Sequence, residues 1–251
     1  MKCRMSLILA LILSLLLIGC ASQQVTMLPD VRGETWDYVV LGSSIGTWWA
    51  RCYGELMKSD LGVKIVYHDY YVASQWVSAL LHNVKTKERL REDIRNAEVI
   101  TIGVGSADMF PAIQDHFALE LIDQRELDET VEEFRETYNS LLSEVVSIAS
   151  PTDTYIRIMN IYFPFVGRYK EEGKYSSVKQ YWMKFNECIR QAGRRHSIPV
   201  AHVFEAFNGP RGGDDPADKG YIDYDGRHSS EKGMKLIAEE FHKLGYQHAS
   251  K

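Results

Sequence analysis

The sequence predicts an α/β domain, a three-layer α/β/α sandwich whose central, mainly parallel sheet has five strands. Three observations lead there. Five short runs of apolar and β-branched residues recur along the chain, as in strands buried on both faces. Stretches with apolar residues three and four apart among charges separate most of them, as in helices that cover a sheet. Finally, 251 residues, 45% of them hydrophobic and 25% charged, suffice for one sizeable core. A formal net charge of −5 argues against nucleic acid as a partner.

The chain opens on a segment outside that domain. Lys2 and Arg4 precede an apolar run from Leu7 to Ile18, short for a membrane span and suited to the core of a secretory signal. The run ends in Leu17-Ile18-Gly19-Cys20, which resembles a bacterial lipobox. That resemblance implies cleavage before Cys20 and lipidation of its thiol, hence an exported protein anchored to a membrane on its periplasmic or extracellular face. An ordinary signal peptide or N-terminal anchor is the alternative, and it too implies export. Residues 1–19 then form the signal peptide. Residues 20–35, polar and carrying Pro29 and Gly33, form the lipidated N-terminus and tether, and residues 36–251 the folded domain.

Within the domain the strand runs are Tyr38 to Leu41, Val63 to His68, Val99 to Val104, Tyr155 to Ile161 and Pro199 to Val203. A helix containing Trp48, Trp49 and Cys52 follows the first. Helical periodicity then marks Ser74 to Ala97, Glu129 to Ala149, Ser176 to His196 and Ser229 to Leu244. Charges such as Lys85, Arg91 and Glu92 read as a solvated helix face. In parallel sheets ligands bind beyond the carboxyl ends of the strands, which singles out the loops 42–49, 68–76 and 104–111. Trp48, Trp49, Tyr70, Tyr71, Trp76 and Phe110 lie in or beside these loops, as pocket walls or as core. Phe207 to Asp215, rich in glycine, reads as a flexible loop. No histidine spacing suggests a metal site. With Cys20 lipidated, Cys52 and Cys188 either pair or stay as buried thiols, and the sequence leaves both open.

Two motifs carry chemistry. Asp225-Gly226-Arg227-His228, with Gly233 soon after, sets a carboxylate and an imidazole three residues apart in a tight turn at the mouth of the last helix. A carboxylate that holds one ring nitrogen fixes the tautomer and leaves the other nitrogen to take a serine proton. Gly42-Ser43-Ser44-Ile45-Gly46 follows the first strand directly, which places Ser44 at a helix N-terminus, where free amides and the dipole favour negative charge on oxygen.

In this order the blocks resemble the SGNH, or GDSL, hydrolase superfamily, over a span from Asp37 to about Phe241. Gly42-Ser43-Ser44-Ile45 stands at the family's Gly-Asp-Ser-Leu block, and Asp225 and His228 at its Asp-x-x-His block. The resemblance implies a flavodoxin-like fold, a Ser44-His228-Asp225 triad, hydrolysis of acyl or acetyl esters of lipids or envelope glycans, and no metal or organic cofactor. Three departures accompany it. The family's Gly-x-Asn-Asp block, whose asparagine amide helps bind the oxyanion, reads Gly105-Ser106-Ala107-Asp108. The glycine of the second block, another oxyanion donor, is best matched by Ser74, and Ser43 replaces an aspartate. The expected oxyanion donors are therefore the amides of Ser44 and Ser74 and the hydroxyl of Ser106. A missing donor costs about a hundredfold to a thousandfold in rate. The alternatives are a binding lipoprotein that keeps the fold with impaired catalysis, and an acyltransferase using the same residues.

Overall fold

The computed structural model describes residues 31–44, 48–118, 124–149 and 154–246, the side chains of 114–118 excepted. The expected signal peptide, Cys20 and the tether up to residue 30 lie outside the described residues, as do Ile45, Gly46, His248 and the side chain of His116. The elements are β1 Thr35–Gly42, α1 Trp48–Leu61, β2 Lys64–Tyr71, α2 Val77–Thr86, α3 Glu88–Asn96, β3 Val99–Gly103, α4 Ser106–Ala118, α5 Gln124–Ile148, β4 Tyr155–Met159, α6 Val166–Glu171, α7 Tyr175–Arg195, β5 Val200–Ala201, α8 Val203–Asn208 and α9 Glu231–His242.

Five strands form one parallel sheet in the order β2-β1-β3-β4-β5, the three-layer α/β/α architecture expected. The chain moves outward from β1 to β2, then returns past β1 to β3. Right-handed crossovers in opposite directions put the connecting helices on opposite faces. Thus α1 packs on α9, while α2, α4, α5 and α7 pack on one another. Val39, Val40 and Leu41 of β1 and Ile100 and Ile102 of β3 are buried between the layers, as strands covered on both faces should be.

The structure corrects several sequence expectations. β2 is an edge strand, and its side chains range from half-buried to exposed rather than buried, with Val66 at the surface. The last residues assigned to the tether belong to the fold: Gly33 N–H donates to the Gly62 carbonyl at 3.0 Å and Lys64 N–H to that of Glu34 at 2.8 Å. The single helix expected from Ser74 to Ala97 is two, broken at extended Lys87 (φ −92°, ψ 104°). Hydrophobic phase explains the break. Val77, Leu80 and Val84 are buried in α2 and Leu90 and Ile94 in α3, and the six-residue step from 84 to 90 leaves a continuous helical stripe. β5 has only two residues because Val203 begins α8. Cys52 and Cys188 are free thiols.

The glycine-rich segment 207–215 is tied down rather than loose. Phe207 and Asn208 end α8, the Asp214 N–H donates to the Asn208 carbonyl at 2.9 Å, and Lys219 ion-pairs with Asp214 at 2.8 Å.

Candidate active site

At the carboxyl edge, Gly42 of β1 is in register with Tyr71 of β2 and Gly103 of β3, so the segments after these strands emerge side by side. Strand order reverses between β1 and β3, where open α/β sheets form their ligand crevice. Ser43, the first residue after β1, is buried. Its N–H donates to the Gly103 carbonyl at 3.3 Å, and its hydroxyl is 3.1 Å from that of Ser106, both residues being buried. The serine that departs from the family pattern therefore bonds the departing third block. Ser44 comes next, half-buried in a turn. The described part of α1 starts only at Trp48, so the expectation of Ser44 at a helix N-terminus gains no support.

The other half of the site is a clamped turn before α9. Asp223 N–H donates to the His228 carbonyl at 2.8 Å and Ser230 N–H to that of Tyr221 at 2.9 Å, with Ile222 and Ser229 forming an antiparallel bridge. Ser230 caps α9 by accepting the Gly233 N–H at 3.2 Å. Gly233 is required by close approach: a Cβ there would lie 2.3 Å from the Tyr221 carbonyl oxygen. Inside this frame one Asp225 oxygen accepts the N–H groups of Arg227 and His228, both at 2.9 Å. The other meets His228 Nδ1. Partial burial opposes ionisation of Asp225, but the bonds from His228 and from the two backbone N–H groups outweigh it and hold its pKa at about 2.

The two halves meet. Ser44 and His228 line one pocket together with Ser106, Phe110, Ile161, Tyr162 and Arg227. Its volume is about 10 Å³, close to the room one water needs. Stacked rings at 4.7 Å and 3° between Trp49 of α1 and Phe241 of α9 join the helices that follow Ser44 and His228.

The oxyanion candidates divide. Ser44 and Ser106 line the pocket, whereas Ser74 is exposed in the turn after β2. Ser74 has φ 55°, a left-handed conformation that glycine adopts without strain, so its backbone suits the family's glycine even though its side chain does not. Ala107 is buried and has no side-chain donor. The segment 104–111, expected as a loop, is mostly helix, since α4 starts at Ser106 and runs through Pro111. Gly105, at φ 125°, makes the turn into it. Asp108 accepts the Val77 N–H at 3.2 Å. Burial pushes its pKa up to about 7 despite that bond.

The pocket wall after β4 rests on residues that no local sequence pattern marks. Buried Asn186 accepts the Ile161 N–H at 2.8 Å and donates to the Ile161 carbonyl at 2.9 Å. Asn208 does the same for Phe163, at 2.9 and 2.8 Å. Buried Tyr162 donates to the Arg227 carbonyl at 3.1 Å, joining this wall to the histidine turn. Of the aromatics singled out, Trp49 is core and Phe110 faces the pocket, whereas Trp48, Tyr71 and Trp76 are exposed. Tyr70 instead donates to Asp93 at 2.5 Å.

A family model described as GDSL-like Lipase/Acylhydrolase matches residues 29–241. Among solved structures, a lipase from a goat rumen metagenome superimposes with a TM-score of 0.71 at 20% identity, covering 86% of this chain and 100% of that one. An acetyl xylan esterase from Geobacillus stearothermophilus gives 0.59 at 16% identity, with 88% and 99% covered. A lipase/acylhydrolase from Enterococcus faecalis gives 0.57 at 14%, with 86% and 100% covered. No curated protein matches the chain in sequence.

Proposed function

Because the chain belongs to the GDSL-like lipase/acylhydrolase family and is a carboxylic ester hydrolase, we propose that it cleaves acyl or acetyl esters through Ser44, His228 and Asp225. The observation that carries this reading is the pocket shared by Ser44 and His228, with Asp225 on the imidazole's Nδ1. His228 takes the Ser44 proton as the serine oxygen bonds to the ester carbonyl carbon and the carbonyl π pair moves onto oxygen. Asp225 holds the resulting imidazolium. The tetrahedral intermediate then expels the alcohol, which leaves with the proton from His228. Water enters through the same base, and the acid product and free Ser44 result.

Trp48, Tyr71, Val72 and Trp76, exposed at the same sheet edge, offer apolar surface to the alcohol portion, whether lipid or glycan. In the purified protein, Ser44→Ala and His228→Ala should each lower hydrolysis of p-nitrophenyl acetate by about 10⁴-fold or more. Wild-type turnover in both variants would reject the assignment.

The same reading places the enzyme outside the cytoplasm, held on a membrane by lipid at Cys20, and it rests on Leu17-Ile18-Gly19-Cys20 after a short apolar run. Cys20→Ala should block maturation in cells, and globomycin should do the same to the wild type. Unchanged processing under both treatments would remove the anchor.

A further inference from the structure

Ala107 removes a side-chain donor from the site, yet a cationic donor stands close by. Arg227 lies inside the Asp-x-x-His block, at a position for which that pattern specifies no residue. It lines the pocket with Ser44 and His228, and its guanidinium carbon sits 4.4 Å from the centre of the Phe110 ring. Phe110 follows Ala107 by three residues in α4, so the two share a helix face. The guanidinium thus packs on the ring of the residue one helical turn along α4 from Ala107, which lacks a side-chain amide.

Arg227 is also held and available. Asp225 accepts its N–H at 2.9 Å and Tyr162 donates to its carbonyl at 3.1 Å, so its backbone is fixed from both sides of the pocket. The neighbouring carboxylate, Asp225, is engaged by His228, and among the described residues no carboxylate forms an ion pair with the Arg227 guanidinium. A guanidinium always carries its charge and presents five N–H donors, and it is more weakly hydrated than an ammonium. Beside an apolar ring, its attraction for a nearby anion is screened less than in water.

We propose that the Arg227 guanidinium binds the oxyanion of the tetrahedral intermediate in place of the amide that Ala107 lacks. This rests on Ser44 acting as the nucleophile. When the Ser44 oxygen bonds to the carbonyl carbon, the π pair moves to the carbonyl oxygen and the serine proton goes to His228. Arg227 donates a hydrogen bond to the new oxyanion and transfers no proton. A pocket with room for roughly one water suits a single oxygen atom. The Ser106 hydroxyl, already within 3.1 Å of Ser43, is the neutral neighbour in the same pocket.

The test uses p-nitrophenyl acetate, which is neutral, and an anionic p-nitrophenyl ester of a dicarboxylic acid, with Ser44→Ala alongside. Arg227→Met should lower kcat on the neutral ester by about a hundredfold or more with KM little changed, the pattern of an interaction made only in the transition state. Adding Ala107→Asn to Arg227→Met should restore at least about tenfold, a recovery that a purely structural role for Arg227 would not give. Wild-type kcat on the neutral ester in Arg227→Met, with Ser44→Ala inactive, would overturn the proposal while leaving the hydrolase reading intact. So would a loss confined to KM for the anionic ester, which would make Arg227 a reader of substrate charge. Full activity in Ser44→Ala would overturn both.

Discussion

Asp108 is where burial and charge compete most directly near the site. Its carboxylate accepts the Val77 N–H, but burial, helped by the charge of Glu133, raises its pKa to about 7, against about 3.9 in an unfolded chain. The folded state therefore holds this proton over a range in which the unfolded state has released it. Its contribution to stability is present at low pH and is lost as pH rises from about 4 through 7. Asp108→Asn keeps the size and the acceptor and removes the charge. The variant should melt about 2–4 °C or more above wild type at pH 8, a shift worth about 1 kcal/mol in a chain of this size, and alike near pH 4. Thermal melts across that range check it, and a constant difference at all pH values would contradict it. Legibility at this scale depends on how local the partners are. Asp225 and His228 were readable because the pair closes within one turn. Asn186 and Asn208 were not, because each serves a backbone group 25 or 45 residues away, and nothing in an asparagine's immediate sequence marks that.

At the scale of elements, the site depends on two helices from opposite ends of the domain. The β1–α1 turn carries Ser44 and the turn before α9 carries His228, and the Trp49–Phe241 stack holds α1 to α9. Phe241 is fully buried, so Phe241→Ala should cost about 3–5 kcal/mol through lost burial and a cavity. Urea unfolding measures it, and a cost below about 1 kcal/mol would mean that the stack contributes little. The strands and long helices were legible from periodicity. The helical run through Pro111 was not, because proline in an interior turn reads as a breaker. Here α4 gives up the one bond Pro111 cannot donate and continues. The break at Lys87 is the opposite case, since the phase slip between Val84 and Leu90 is visible in the sequence once the two stripes are counted separately.

For the whole molecule, strand order is the information that local pattern does not hold. Val63 to His68 has the apolar content of a central strand, yet β2 lies at the sheet edge, and only the path of the crossovers decides that. The same path creates the reversal between β1 and β3, and with it the crevice where Ser43 meets Ser106 and where Ser44 and His228 line one pocket. Chain order of the blocks carried the family assignment, and the family model over residues 29–241 agrees with it. The proposed nucleophile is Ser44, served by a base nearly two hundred residues later. Fluorophosphonate labelling of the purified protein, with the adduct located by peptide mass spectrometry, tests it most directly. A single adduct on Ser44 is expected, absent in Ser44→Ala and slowed strongly in His228→Ala. An adduct on another serine, or undiminished labelling of Ser44→Ala, would contradict it.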